Sequence, residues 1–290
     1  MIGTFPFANP AMTPLRAAIA ILEGPDAQTF AGTRFSSDIA ALDDGAWQWS
    51  AWLDAQGRVR VFMHLVRVSD TRFLLILRGG DAPAFIAAIQ PYVLRSRVTL
   101  QALPPRMPID TAAMPSGTTW LMDDDIILGC GDYAMRLPAV DPTMPAQDWR
   151  RHAIRAGHPW LPETLDSRPL SAALDLDRLG ATRFGKGCYP GQEIAARLHF
   201  RGGCKYHLRL LQGPVALPPG ERLRHQGSAV GSILDSIEIN AGHFLALAVL
   251  RDSLADGENL FDIGHAPHGG SRIVVGTPDR TPGTATHSRI

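Results

Sequence analysis

The chain has 290 residues, 28 Lys+Arg against 28 Asp+Glu, 45% hydrophobic and 19% charged residues. Zero formal charge provides no global field for nucleic acid or an anionic membrane, and the length calls for two or three substructures. No apolar run approaches the ~20 residues of a spanning helix, Met1–Arg16 shows no secretory pattern, and Cys130, Cys188 and Cys204 have no framework spacing, so a soluble protein with reduced thiols in the cytoplasm is expected.

In chain order, Ala17–Leu22 reads as a buried strand, and Gly24-Pro25-Asp26 opens a helix anchored by Phe30. Trp47–Leu53 and Arg58–Val68 form two strands around the Asp54–Gly57 turn, and Thr71–Leu77 continues the sheet. Asp81 caps a helix through Tyr92, and Val98–Ala102 returns as a strand. The order βα, strands, αβ suits an α+β plan of ferredoxin-like type. Leu103–Gly117, with four prolines, reads as an irregular connection and a boundary. Short strands follow at Thr118–Met122, Asp125–Gly129 and Tyr133–Leu137. A helix starting at Pro145 runs through Trp149 and Ile154 to a Gly157 stop, and a second covers Ser171–Leu179. Beyond Lys205, four apolar segments separated by Gly- and Pro-rich turns fit a small antiparallel barrel. The expected units are 1–104, 105–205, 206–276 and a mobile tail, 277–290.

The densest chemistry is Gly185-Lys186-Gly187-Cys188-Tyr189-Pro190-Gly191-Gln192-Glu193. The chain's two lysines, Lys186 and Lys205, bound this region, while arginine supplies positive charge elsewhere, which hints at a place where a compact ammonium is not interchangeable with a guanidinium. Cys188 reads either as a buried small hydrophobe in a turn or as a thiolate favoured by Lys186 and by a helix opening at Pro190. Gln192 and Glu193 are either first-turn helix residues or hydrogen-bonding partners for a heterocycle edge, and Trp149 is either core or a stacking wall. Cys188, His199, Cys204 and His207 lack the paired spacing of a zinc knuckle, so no metal site is assigned. Neither a serine-hydrolase elbow nor a phosphate loop occurs.

The run Lys186–Glu193, followed by Ala196-Arg197, Phe200-Arg201-Gly202 and Lys205, resembles the K-G-C-[FY]-x-G-Q-E signature of the YgfZ folate-binding proteins, relatives of the glycine cleavage T-protein. Leu22–Phe30, Gly57-Arg58-Val59, Ala156–Pro159 and Leu179–Ala181 extend the similarity over roughly residues 15 to 250. The resemblance implies α+β substructures around a central cavity for tetrahydrofolate or a one-carbon derivative, a C-terminal barrel, and a role in assembly or repair of iron–sulfur enzymes. Those client enzymes include some that thiolate tRNA, an indirect link to RNA, with no membrane or DNA partner. It makes Cys188 and Lys186 the reactive residues and assigns Trp149, Tyr189, Gln192, Glu193 and Arg197 to cofactor binding. The chain departs from the family at Thr33-Arg34, where relatives usually carry a Gly-Gln pair, and at Arg155, where many carry a glutamate. The alternative is an aminomethyltransferase or demethylase of T-protein type. That chemistry needs a placed carboxylate after the central glycine turn, and Val61 and Phe62 stand there instead.

Overall fold

A computed structural model describes residues 15–143, 148–254, 256–261 and 271–279. The N-terminal unit runs β1 (Ala17–Glu23), α1 (Ala27–Arg34), β2 (Trp47–Leu53), β3 (Val59–Ser69), β4 (Arg72–Leu77), α2 (Ala82–Ile89) and β5 (Thr99–Arg106). Its antiparallel sheet has the order β2-β3-β4-β1-β5. The apolar run of β1 reflects burial on both faces: Ala18, Ala20 and Leu22 join Phe30 of α1 and Phe85 of α2, while Ile19 and Ile21 face the rest of the molecule. Asp81 caps α2 as the sequence indicates, its carboxylate accepting from the Ala84 amide at 2.8 Å.

A four-stranded sheet follows, from β6 (Ile109–Thr111), β7 (Thr119–Met122), β8 (Asp125–Gly129) and β9 (Ala134–Leu137), in the order β6-β9-β8-β7. The proline-rich stretch expected to be irregular is partly strand, because β5 continues through Pro104 and Pro105 at a sheet edge, where missing amide donors are tolerated. Next come α3 (Asp148–Arg155) and α4 (Gln192–Arg201). The expected start of α3 at Pro145 lies outside the described residues. Gly157, at φ +67°, ends the helix as expected, with the His158 amide returning to the Ala153 carbonyl at 2.9 Å.

The expected helix over Ser171–Leu179 is corrected to one 3-10 turn, Ala172–Leu174. Asp175 takes the left-handed conformation at φ +52° and breaks the repeat. Ala173, Leu174 and Leu176 enter the core, so their apolar pattern records insertion of a turn rather than a helical stripe.

The C-terminal sheet consists of β10 (Tyr206–Gly213), β11 (Arg222–His225), β12 (Ser228–Asn240), β13 (His243–Arg251), β14 (Gly257–Phe261) and β15 (Ser271–Gly276), in the order β11-β12-β13-β10-β15-β14. Its two edge strands, β11 and β14, touch. One face of this sheet holds its own core with Leu211, Ile233 and Phe261, and the other sends Leu208, Leu245 and Leu247 into the core shared with both preceding sheets. Of the expected tail, 277–279 is described: Pro278 is buried and the Asp279 amide donates to the Arg155 carbonyl at 2.7 Å. No helix among the described residues is long and apolar enough to cross a membrane.

Candidate functional site

The Lys186–Glu193 loop is pinned to the N-terminal unit at two points. At its C-terminal end Gly191, with φ +76°, lies against the Asp54–Gly57 turn, where a Cβ would come within 2.4 Å of the Asp54 carbonyl oxygen and 3.0 Å of the Gly57 Cα. Glycine is required at this position for the approach as well as for the dihedral. At its N-terminal end Lys186 Nζ donates to the carbonyls of Phe35 and Ser37, both at 2.6 Å, and sits 5.1 Å from the centre of the Tyr189 ring. Two converging carbonyls and a ring face suit a compact ammonium with rotatable donors, which accounts for lysine here in an arginine-rich chain. Burial lowers the Lys186 pKa from 10.5 to about 8, with Asp38 opposing the shift.

Gln192 braces the loop internally: its Oε1 accepts from the Tyr189 amide and its Nε2 donates to the Phe184 carbonyl, both at 3.3 Å. Tyr189 is buried, its hydroxyl has no partner among the described residues, and burial pushes its pKa up to about 12. The helix begins at Gln192 rather than at Pro190, so Cys188 lies four residues before it, and no hydrogen bond reaches its Sγ among the described residues. Cys188 is exposed. Cys130 is buried, with its pKa raised to about 12 by burial, and Cys204 is half-buried with Sγ 3.1 Å from the Tyr206 carbonyl. Glu193 and Arg197 point outward from α4. The remaining members of the cysteine–histidine set take other partners: His199 pairs with Asp177 at 2.9 Å and His207 with Asp252 at 3.3 Å.

Trp149 lies elsewhere, 1% exposed on α3, its indole donating to the Pro108 carbonyl at 3.1 Å. No hydrogen bond, ion pair or ring contact joins it to the loop among the described residues. It belongs to an interior cluster that the sequence did not reveal, centred on the buried Arg78. This guanidinium lies 4.7 Å from the Trp160 ring centre, 5.6 Å from Trp49 and 5.8 Å from Trp149, and donates to the carbonyls of Pro159 and His158. His64, fully buried, packs 4.1 Å from Trp49 and 4.5 Å from Trp47 between ring centres, and neither of its ring nitrogens has a hydrogen-bond partner among the described residues. Burial, reinforced by Arg78, lowers the pKa of His64 and of His158 well below 6.5. The Tyr133 hydroxyl lies 2.7 Å from His158 Nδ1.

His64 is thus an unanswered imidazole packed among indole faces, in a place where a neutral ring nitrogen could accept or donate one hydrogen bond. Phe62 is 1% exposed and stacks on Trp49 at 4.9 Å.

No family model matches the chain. It is 25% identical over 275 residues to the tRNA-modifying protein YgfZ of Klebsiella pneumoniae, spanning 82% of this chain and 84% of that protein. It is also 25% identical over 277 residues to the tRNA-modifying protein YgfZ of Cronobacter sakazakii, spanning 83% and 84%. Among solved structures it is similar to aminomethyltransferase T of the glycine cleavage system from Bartonella henselae, with a TM-score of 0.62 over 90% of this chain and 82% of that one. At 15% identity that likeness shows a shared fold. The resemblance to the YgfZ proteins and to the T-protein fold therefore extends over most of the chain.

Proposed function

We propose, from the similarity to the YgfZ proteins, that this chain is a cytoplasmic tetrahydrofolate-binding accessory protein for assembly or repair of iron–sulfur enzymes, tRNA-modifying ones among them. The observation that carries this reading is Cys188: of the three thiols it alone is exposed, and its loop is held at Lys186 and at Gly191. A soft sulfur ligand on a fixed, accessible loop suits transient contact with cluster iron or a client disulfide. Folate binding is assigned to the interior cluster, with His64, Trp49 and Trp149 as the residues that would hold the pterin; for Tyr189, Gln192, Glu193 and Arg197 as folate contacts the resemblance alone is the support. When bound, tetrahydrofolate supplies a carrier for a one-carbon unit.

The order β2-β3-β4-β1-β5 with both helices on one face supports a ferredoxin-like plan with one added edge strand for the first unit. The contact between β11 and β14 supports barrel closure in the last. Three separate sheets support a boundary near residue 205 and one after β5, at 107–108 rather than 104. The aminomethyltransferase alternative rests on the shared fold, and the apolar, buried Phe62 counts against it.

Complementation of a strain lacking its own YgfZ, read as thiolated tRNA content and cluster-enzyme activity, tests the proposal. Cys188→Ala is expected to abolish rescue while keeping its melting temperature and folate affinity, and Cys204→Ala to rescue normally. Full rescue by Cys188→Ala overturns the role of the thiol.

A further inference from the structure

The outer face of α4 and its flanks gather positive charge that the chain as a whole lacks. Arg197 and Arg201 lie one turn apart with Phe200 between them, and Arg183 and Lys205 flank the helix in sequence; all five are exposed, Phe200 to 71%. None of the four cations takes part in an ion pair or side-chain hydrogen bond among the described residues. The sole acid of α4, Glu193, stands at its opposite end.

Phe200 crowns an aromatic tier. Its ring centre lies 4.6 Å from His199 and 5.6 Å from Phe184, and Phe184 and His199 are 4.8 Å apart. Beneath this tier a cavity of about 220 Å³ opens, lined by Phe184, His199, Ser171, Thr182 and Asp177 among others. Aromatic faces, exposed cations without an ion pair among the described residues, and a pocket walled by two hydroxyls, the carboxylates of Asp175 and Asp177 and the Arg178 guanidinium thus occur side by side.

We propose that this face binds single-stranded RNA. Phosphates engage Arg183, Arg197, Arg201 and Lys205, and an unstacked base lies on Phe200. Ser171, Thr182 and Asp177 supply the hydrogen-bonding wall for a ribose 2′-hydroxyl, a group DNA lacks. An acidic protein segment would satisfy the cations and leave the aromatic tier and the hydroxyl-walled pocket unused, so RNA is the occupant these features favour. The inference goes beyond the thiol reading and stands on surface chemistry alone.

The test is fluorescence anisotropy of end-labelled RNA and DNA dodecamers of one unstructured sequence, titrated with the full chain in the absence of folate over a salt series. RNA is expected to bind more tightly than DNA. Arg197→Ala with Arg201→Ala is expected to weaken RNA binding more than about ten-fold and to flatten the salt slope by about 1.4. Phe200→Ala is expected to cost about ten-fold through lost stacking. Arg95→Ala, an exposed arginine on the N-terminal unit, is expected to change nothing, and circular dichroism checks that each variant is folded. The proposal is overturned if RNA fails to bind at low salt, if DNA binds equally well, or if polyglutamate displaces RNA while Phe200→Ala has no effect, the mark of an acidic-protein surface. Rescue by Cys188→Ala is a separate readout, so failure of either idea leaves the other identifiable.

Discussion

Gly191 and Gly57 meet backbone to backbone: a methyl group on Gly191 would lie 3.0 Å from the Gly57 Cα, and one on Gly57 would lie 3.1 Å from the Ile194 side chain. Both glycines have positive φ, +76° and +74°. The central turn of the first sheet and the start of α4 are therefore a matched pair, and the Lys186–Glu193 loop takes its position from their contact.

Gly191→Ala is accordingly expected to destabilise the protein by about 1–3 kcal/mol from the left-handed backbone alone, with more from the clash against Asp54. Thermal unfolding checks this. A melting temperature equal to wild type would mean that the loop is not fixed there. Gly187, which has open space where a Cβ would stand, is expected to tolerate alanine far better.

Lys186 titrates on the basic side of neutrality. Its pKa is about 8 in the folded protein against an ordinary 10.5, so the unfolded chain holds the extra proton between those values. Stability contributed by this group therefore rises as pH climbs through that window, and Lys186→Met should remove the slope. The free amine also reacts with acylating reagents. Acetylation of Lys186 should show a midpoint near pH 8, and peptide mass spectrometry can separate it from Lys205, the other lysine of the chain.

The two buried histidines act in the opposite direction. His64 and His158 are held neutral in the folded protein and titrate near 6.5 when unfolded, so acid favours the unfolded chain. Stability is expected to be complete above about pH 6.5 and to fall as pH drops below it. His64→Phe keeps the aromatic packing and should shallow that fall in urea titrations across the acid range. An unchanged slope would mean that His64 is not the proton acceptor.

Much of the frame was legible because its determinants are local. The apolar run of β1, the Asp81 cap and the Gly157 stop each signal a boundary through their own chemistry, and Lys186–Glu193 is dense enough to mark a loop worth attention. Tertiary placement was less legible. Backbone carbonyls carry no residue signature, so Phe35 and Ser37 could not be recognised as the seat of Lys186. Arginine usually faces solvent and histidine is found on both sides of the surface, so nothing in the sequence announced Arg78 and His64 in the interior. Strands β6, β11 and β14 are short and were missed, and the turn at Ala172–Leu174 imitates a helix because its alanines and leucines are buried.

Closure of the interior sets an expectation for folate binding. Trp49 and Trp149 are 7% and 1% exposed, so a pterin cannot reach them without separation of the packed rings. Stopped-flow quenching of tryptophan fluorescence by tetrahydrofolate should give an observed rate that levels off with ligand concentration, the mark of an opening step before binding. Trp149→Phe and His64→Phe should both weaken the equilibrium affinity. A rate that rises linearly to high concentration, with neither variant affected, would place the folate outside this cluster.

The ion pair between Arg150 and Asp235 ties α3 to β12 at 2.6 Å with both side chains 1% exposed. Removing Asp235 takes away the buried carboxylate that Arg150 faces and its ion-pair attraction, so Asp235→Ala is expected to destabilise the protein by about 3–5 kcal/mol. The double variant Arg150→Met with Asp235→Leu removes both charges and should recover most of that loss, since desolvation of the pair offsets much of its attraction. Chemical denaturation of the two variants decides. If the single variant is as stable as wild type, the pair does not join the C-terminal sheet to α3. If the double variant is no better than the single, the pair's own attraction holds that junction.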